Sequence, residues 1–504
     1  MPIQRIEGFG NAGWITDLSP ASLPPGAWTE CKHTIPHDGK AVRAWDTDPV
    51  FDLDIEPRFR FSFRDPSNRQ FLIVGNGTQV FAYNIGTGVG EEITGEEITP
   101  YDAVPTPVFS DQCSFCAHNG VLCYSTFNHG IFYWPGPGNQ LIVFPSVDPG
   151  DGSNIGWRYD RSWRCTALAS FKYYLIALGM SEDGEFYQHK IRWSASAPDG
   201  AVPTEWTATT ENDSGDDVLG ETAGPILGAQ QVQDALWIIK QDGVYSLNYV
   251  GGNEVLGNRR LAGELDVSSR DATQEYLGRL VVLSGRDLYS YDGAIMRSLV
   301  DQKVRDALNE SMAGRYDRGK IFVDQFVENL WVLGGPTGDG RHTEALVLDL
   351  TTGAWGHQYL NNAYALVSLA ERGTSLGVYA LESNVANTSW FASKLTREPT
   401  TSQSFISRIA RSGIPFEGSP GRAMITEVWP EIQGSGDFQI SVRGQETLSG
   451  AMVEDGPYVF SAPGDYHLTP RVSGRFLGYA LESNSTTGWE VDNLTFRYEV
   501  SGEH

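Results

Sequence analysis

The sequence predicts an all-β protein: a β-propeller of six or seven blades followed by an antiparallel β-sandwich. A hairpin pattern recurs along most of the chain, and longer alternating runs replace it after about residue 400. The composition agrees, because 56 Gly and 26 Pro supply turns while 14 Trp, 21 Tyr and 23 Phe favour strands. Charged residues make up only 20% of the chain, so we expect it to be folded nearly throughout.

The hairpin pattern is the strongest of these observations. Each copy has an apolar run, a turn rich in Gly, Asn or Asp, and a second run that tends to carry or end on Tyr or Trp. Seven copies occur, at 71–84, 119–134, 171–194, 234–252, 278–293, 329–356 and 374–393. Their spacing of about 45 to 65 residues is close to that of a propeller with four strands per blade. The alternative is an extended sandwich or several unrelated sheets.

The pattern divides the chain into three parts. Residues 1–60 are predicted to be an extended lead-in and a first strand that closes the ring or reaches a neighbour. Residues 61–405 form the propeller, and residues 406–504 form the sandwich, in which the run beginning at Trp489 alternates between buried and exposed positions. The domain assignment therefore places one repeat array before one separate sheet domain.

One helix interrupts the strands at SLVDQKVRDALNE, residues 298–310. Its apolar side chains recur at helical spacing and share one face. They are Leu299, Val300, Val304, Ala307 and Leu308. We expect this helix to cover a blade edge or an interface, and a packing role without a site is the simpler interpretation.

Charge and hydropathy exclude some classes of function. The formal net charge is −26, from 63 acidic and 37 basic residues, and no basic run is present to grip phosphates. Tight nucleic-acid binding is therefore not expected, although an acidic wall keeps a sliding polyanion from adhering. The N-terminus lacks a signal-peptide pattern and no apolar stretch is long enough to span a membrane, so we expect assembly in the cytosol and no stable membrane insertion.

Three of the five cysteines lie close together, with two histidines nearby. Cys113, Cys116 and Cys123, near His118 and His129, have partial zinc-ligand spacing, but only one CxxC pair is present. The segment otherwise has the pattern of blade strands, in which a free cysteine packs as a small hydrophobe. We predict that these thiols are buried and bind no metal.

An acidic loop, TENDSGDDVLGE, carries Glu211, Asp213, Asp216 and Asp217. It lacks the alternating ligand order of a calcium loop, so no ion site is predicted. Two interpretations are open: the loop faces the lumen or an interface of an assembly, or it is a solvated outer loop.

No catalytic motif is found. GxSxG, HExxH, Walker A and Rossmann patterns are absent from the sequence, and SAPDGAVPTEW at 196–206 has the wrong spacing for a sialidase Asp-box and does not recur. No cofactor and no catalysis are therefore expected. The alternative is a propeller that binds or cleaves host surface polysaccharide, which rests on analogy of fold alone.

Five segments of the sequence are distinctive: DLSPASLPPGAWTECKHTIPHDGKAVRAWDTDPVF, WRCTALASFKYYLIALGM, IRWSASAPDGAVPTEW, IIKQDGVYSLNYVGGNEV and GRFLGYALESNSTTGWEVDNL. These segments resemble the tail nozzle, or tubular tail hub, proteins of short-tailed bacteriophages. The resemblance covers most of the chain in the same order, and CKHTIPHDGK departs from the more basic strand expected at that place.

The resemblance implies a non-enzymatic virion protein that assembles in the host cytoplasm as a homohexameric ring of the tail. Its partners would be the tail adaptor below the portal, tail fibres or spikes, and double-stranded DNA that passes through the channel without tight binding. A negative lumen would suit such passage. The edge strands of the C-terminal sandwich would offer backbone groups for pairing between subunits.

Overall fold

The structure is a computed structural model of the 504-residue chain. It describes residues 2–95, 113–127, 129–145, 157, 163–252, 254–324, 327–370, 376–397, 399, 405–416, 421–485 and 487–500. In these residues the chain is almost entirely antiparallel β-structure, which confirms the all-β prediction.

Five strands precede the first blade. They are β1 (Ile3–Ile6), β2 (Glu30–Lys32), β3 (Thr34–His37), β4 (Lys40–Arg43) and β5 (Asp46–Leu53).

In the part of the chain that the structure describes, seven four-stranded antiparallel units follow, and they form the blades of a β-propeller. Blades one to three contain β6 (Phe59–Arg64), β7 (Gln70–Gly75), β8 (Val80–Asn84), β9 (Val89–Glu92); β10 (Cys113–His118), β11 (Val121–Thr126), β12 (Gly130–Trp134), β13 (Ile142–Val143); and β14 (Arg164–Phe171), β15 (Tyr174–Glu182), β16 (Glu185–Trp193), β17 (Gly215–Val218). Blades four and five contain β18 (Ile226–Val232), β19 (Ala235–Lys240), β20 (Gly243–Tyr249), β21 (Leu256–Gly263); and β22 (Thr273–Tyr276), β23 (Arg279–Ser284), β24 (Asp287–Tyr291), β25 (Met296–Ser298). Blades six and seven contain β26 (Lys320–Asp324), β27 (Asn329–Pro336), β28 (His342–Asp349), β29 (Trp355–Ala370), β30 (Leu376–Ser383) and β31 (Trp390–Thr396).

The seven predicted hairpins are the second and third strands of the seven blades. Local chemistry explains why they could be recognised, because their turns need backbone conformations that few residues adopt. Asp183 and Gly184, in the turn between β15 and β16, have φ angles of 52° and 81°. Asn119 and Gly120 repeat this pair with 50° and 80° in the turn that joins β10 to β11. Two positive φ angles in succession favour Asn-Gly and Asp-Gly.

The seventh blade is closed by a strand from the other end of the chain. The 16-residue β29 pairs with β28 through its first half and with β30 through its second half, so it serves both blade six and blade seven. The outer strand of blade seven is β5, which runs antiparallel to β31 from Thr396↔Asp46 to Trp390↔Leu53. This pairing joins residues that are about 350 positions apart in sequence and closes the ring.

The sandwich is also built from both ends of the chain. Its C-terminal strands are β32 (Ser407–Pro415), β33 (Ala423–Gly434), β34 (Gly436–Gln445), β35 (Met452–Ala462), β36 (Val472–Gly474), β37 (Phe476–Ser483) and β38 (Trp489–Val500). One sheet has the order β2-β32-β37-β34-β35; in the other, β38 pairs with β33, β1 and β4. The buried core between them includes Trp28, Tyr479 and Trp489.

A continuous sheet connects the two domains. The β3–β4 hairpin pairs with β29 at His357↔Thr34 and with β38 at Val491↔Ala41, so hydrogen bonding passes from blade six into the sandwich. Gly356 permits the close approach, because a Cβ there would lie 2.6 Å from the carbonyl oxygen of Thr34.

Buried charges occupy this junction. Arg43 and the His33 ring (Nε2 to Oδ1, 3.1 Å) both hydrogen-bond the carboxylate of Asp46, and all three side chains are about 1% exposed or less. The backbone N–H of His33 donates to Nδ1 of His357 at 3.2 Å, which leaves Nε2–H of that ring to donate to Glu344 at 3.1 Å. Polar side chains from the N-terminal segment and from blade six therefore form one network.

The predicted helix is shorter than expected and begins later. The structure has a helix at Arg305–Met312, whereas residues 301–304 form turns. Of the predicted apolar face, Val300, Val304, Ala307 and Leu308 are buried in a core that belongs to blades four to six. The predicted spacing of the apolar residues therefore holds for the buried face. The helix begins later because Val304 is its N-terminal cap residue, whose φ of −129° is not helical.

A buried carboxyl in blade seven gives a pH-dependent prediction. Burial raises the pKa of Glu382 on β30 to about 8, and its side chain is 1% exposed. Between its unfolded and folded pKa values the native state holds a proton that the unfolded chain has lost, so stability falls as the pH rises from about 5 to 8. We expect Glu382→Gln to remove up to about 1.4 kcal/mol per pH unit of this slope.

The measurement is urea unfolding of the wild type and Glu382→Gln at pH 5, 6.5 and 8. Glu221→Gln, at an exposed position before blade four, is the matched control and should follow the wild type. Parallel curves for the wild type and Glu382→Gln would contradict the prediction.

Candidate functional site at the propeller axis

The first strands of the seven blades enclose a cavity of about 760 Å³ on the propeller axis. Every blade contributes lining residues, from Phe59 in blade one to Ser368 in blade seven. Exposed Ala117 and Gln231, near the C-terminal ends of β10 and β18, mark the end at which the cavity reaches the surface. The cavity is a concave site of a size that suits a small molecule.

Arg270 closes the opposite end. It lies in a single 3-10 turn, Arg270–Ala272, directly before β22 of blade five. Its guanidinium donates to the carbonyl oxygens of Leu227 (2.8 Å), Cys113 (2.9 Å) and Thr166 (2.5 Å), which belong to blades four, two and three. Since blade two stands three positions around the ring from blade five, this side chain crosses the axis.

Gly228 has no side chain, and this leaves room for Arg270 to cross the axis. A Cβ at Gly228 would lie 3.3 Å from Cγ of Arg270, tighter than most contacts of that kind.

Asp271 connects the remaining blades. Its carboxylate lies 3.5 Å from Nη1 of Arg60 in blade one and 3.8 Å from Nζ of Lys320 in blade six. Arg60 Nε and Lys320 Nζ also donate to the carbonyl oxygens of Leu366 and Tyr364 in blade seven, each at 2.8 Å. With Arg270, these contacts tie all seven blades together across the axis.

Burial and charge shift the titration of this network. Burial lowers the pKa of Lys320 to about 8, although Asp271 opposes the shift. Burial acts to raise the pKa of Asp271, but Arg60, Lys320 and Arg270 outweigh it and the pKa is lowered. The Asp271 carboxylate is therefore ionised at neutral pH and holds the surrounding cations in place.

Aromatic rings form one side of the cavity. Phe61 in blade one and Phe115 in blade two are half-buried and stacked, with centroids 6.3 Å apart and planes 21° from parallel, and Phe59 lies beside them in the lining. The site thus combines an apolar wall with cations at its closed end.

Sequence reasoning missed these residues. Arg60, Arg270, Asp271 and Lys320 each lie at or just before the first strand of a blade, outside the hairpins that the pattern detected. The usable signal was a charged residue at the beginning of an otherwise apolar run, as in RGKIFVD at 318–324. That signal gives the side chain but not its partners in other blades.

The predicted acidic loop belongs to blade three. Asp216 forms ion pairs with Lys190 at 2.8 Å and Arg192 at 3.0 Å, and Asp213 accepts a hydrogen bond from Tyr174 at 2.8 Å. Asp217 hydrogen-bonds Asn258 of blade four, and Glu211 is exposed. These carboxylates do not converge, and none lines the axial cavity.

The clustered cysteines lie in blade two and its neighbour. Cys116 on β10 stands opposite Cys123 on β11, and Cys165 of blade three packs in the same apolar cluster. Cys113 Sγ lies 3.1 Å from the hydroxyl of Tyr124. Within the described residues, no group of three or more His, Cys, Asp or Glu side chains could hold a metal ion.

The helices of the described residues include none that is both long and apolar enough to cross a membrane.

Comparisons with known proteins give similarities of fold only. No protein-family model and no curated sequence matches the chain. Virginiamycin B lyase from Staphylococcus aureus is 9% identical with a TM-score of 0.41, over 70% of this chain and 99% of that one. YCF48 from Cyanidioschyzon merolae is 12% identical with a TM-score of 0.38, over 70% and 99%. The extracellular domain of a hybrid two-component system from B. thetaiotaomicron is 10% identical with a TM-score of 0.43, over 86% and 59%. These values assign no activity or partner to the chain.

Proposed function

We propose that this protein is a non-enzymatic subunit of a short phage tail, a nozzle that assembles as a homohexameric ring around the path of the ejected genome. The proposal is motivated by sequence segments that resemble those of tail nozzle proteins in the same order. The acidic composition is compatible with it. The observation that carries the assembly step is the unpaired edge of the sandwich.

That edge is β35, the last strand of its five-stranded sheet. It is eleven residues long, it pairs with β34 on one side, and the described residues provide no strand on the other. Val453 and Val459 are 60% and 61% exposed on it. A long edge with exposed apolar side chains favours pairing with another chain. Pro457 lacks a backbone N–H and confines such pairing to the two halves of the strand.

The closed propeller axis constrains where DNA could pass. Arg270 and the Arg60–Asp271 pair span the axis, so the genome would travel along the common axis of a ring of subunits and not through one propeller. Carboxylates exposed toward that ring axis would repel the DNA backbone and reduce adhesion. In this proposal the adaptor below the portal and the tail fibres or spikes bind the outer surfaces of the ring.

Substitutions that introduce charge on the edge strand β35 test the assembly step. We expect Val453→Lys with Val459→Lys to abolish the ring, because two buried lysines would face the neighbouring subunit. Native mass spectrometry and negative-stain imaging should give a ring with a central pore for the wild type and a 55.4 kDa monomer for the variant.

Val385→Lys is the matched control, since Val385 is 86% exposed in the β30–β31 turn and lies on no sheet edge. A wild-type protein that stays monomeric in the presence of the tail adaptor would contradict the assembly proposal. Absence of the protein from purified virions would contradict the tail assignment itself.

A second candidate is a propeller that binds or cleaves host surface glycans. The axial cavity favours it, because an aromatic wall opposite polar groups is how sugar rings are commonly held. Incubation with host surface polysaccharide separates the two candidates: retention or depolymerisation of the glycan by protein that forms no ring favours the second.

A further inference from the structure

We propose that the axial cavity of the propeller binds a small monocarboxylate that carries a ring, such as a sugar acid or an aromatic acid. The proposal rests on the charge balance, the free hydrogen-bonding capacity and the aromatic wall of the cavity. It does not depend on assembly into a ring. For a sugar acid it rests on and deepens the second candidate function by naming the ligand class, and for an aromatic acid it goes beyond both candidates.

The charge balance of the cavity opposes that of the whole protein. The chain has 63 acidic and 37 basic residues, yet the charged residues that line the cavity are Arg60, Arg270 and Asp271. Two cations against one carboxylate leave a single surplus positive charge. Lys320 stands behind Asp271 and adds to the positive potential. A positive surplus in a partly desolvated site favours an anionic ligand.

Arg60 retains a donor for the ligand. Its Nε donates to Leu366 and its Nη1 faces Asp271, whereas Nη2 has no protein partner among the described residues. The side chain is 16% exposed and lines the cavity. An arginine that is already fixed through two of its nitrogens offers the third without a further loss of side-chain entropy, which suits a carboxylate oxygen.

The aromatic wall selects a ring. Phe59, Phe61 and Phe115 present half-buried rings on the blade one and blade two side of the cavity. The amide of Gln230, from the blade four side, donates to Thr273 and leaves its carbonyl oxygen available to accept from a hydroxyl group. A ligand whose ring packs its flat apolar face against phenylalanine and whose carboxylate points toward Arg60 would satisfy both the aromatic wall and the arginine.

The test is isothermal titration of the full-length protein at pH 7 with D-glucuronate and, separately, with benzoate. D-glucose and benzyl alcohol are the matched neutral analogues. We expect a Kd of about 1 mM or tighter for at least one carboxylate, and binding at least tenfold weaker for its neutral analogue. The comparison of the two carboxylates distinguishes a sugar acid from an aromatic acid.

Arg60→Gln should weaken binding at least tenfold, and Arg69→Gln should not change it, because Arg69 pairs with Asp65 at the turn of the same hairpin and does not line the cavity. If Arg60→Gln does not fold, Phe61→Leu provides the same comparison through the aromatic wall. The proposal is overturned if neither carboxylate binds at about 10 mM, if neutral analogues bind equally well, or if these variants bind like the wild type. The oligomeric mass, measured on the same samples, reports separately on the ring.

Discussion

Arg270→Met should lower the free energy of unfolding by about 3 to 5 kcal/mol. The substitution keeps the apolar stem but removes three hydrogen bonds, so the carbonyl oxygens of Leu227, Cys113 and Thr166 lose that guanidinium as a donor. It also takes one of three nearby cations away from Asp271, whose ionised form they stabilise. Urea unfolding followed by tryptophan fluorescence measures the change.

Arg279→Met is the matched control, because Arg279 is exposed at the beginning of β23 in the same blade. We expect its unfolding midpoint to lie close to that of the wild type. Equal stability of Arg270→Met and Arg279→Met would show that the crossing of the axis by Arg270 contributes no net stability.

Asp46→Asn should cost about 3 to 5 kcal/mol, through the junction between the propeller and the sandwich. Asp46 is the carboxylate that compensates buried Arg43, and Nε and Nη2 of Arg43 have no hydrogen-bond partner among the residues that the structure describes. An asparagine would leave the guanidinium buried without a counterion and would place an amide where the ring of His33 donates to a carboxylate. The loss should appear in thermal unfolding as a lower midpoint.

Asp38→Asn provides the comparison for this second change. Asp38 lies in the β3–β4 turn, 86% exposed, with a φ of 49° that asparagine tolerates. Limited proteolysis adds a test of location: Asp46→Asn should expose cleavage sites in the N-terminal 45 residues before sites inside the blades. Simultaneous cleavage throughout the chain would show that the lost stability does not come from the junction between the propeller and the sandwich.

The sequence by itself determined the local elements. A hairpin such as 171–194 is recognisable from its alternation and from an Asp-Gly turn with two positive φ angles, and both signals lie within a few residues. The apolar face around Val300 and Leu308 was also local, but the start of its helix was not, because the backbone at Val304 is set by packing against blades four to six. The seven recurrences then pointed to a repeat architecture.

Only the tertiary structure decided how the ends of the chain and the charges are used. Residues 1–60 were predicted as an extended lead-in with one strand that closes the ring or reaches a neighbour. In the structure they contribute five strands before the first blade: β5 closes blade seven, and β1 to β4 join the sandwich or its connecting sheet. Asp213 and Asp216 contact Tyr174 and Lys190 within blade three, and their place at a lumen or interface stays a prediction. Arg60, Arg270 and Asp271 meet at the axis from distant parts of the sequence. Strand alternation assigns a side chain to a face, but the partner of a charge is set by the closure of the ring, which brings together residues more than 200 positions apart.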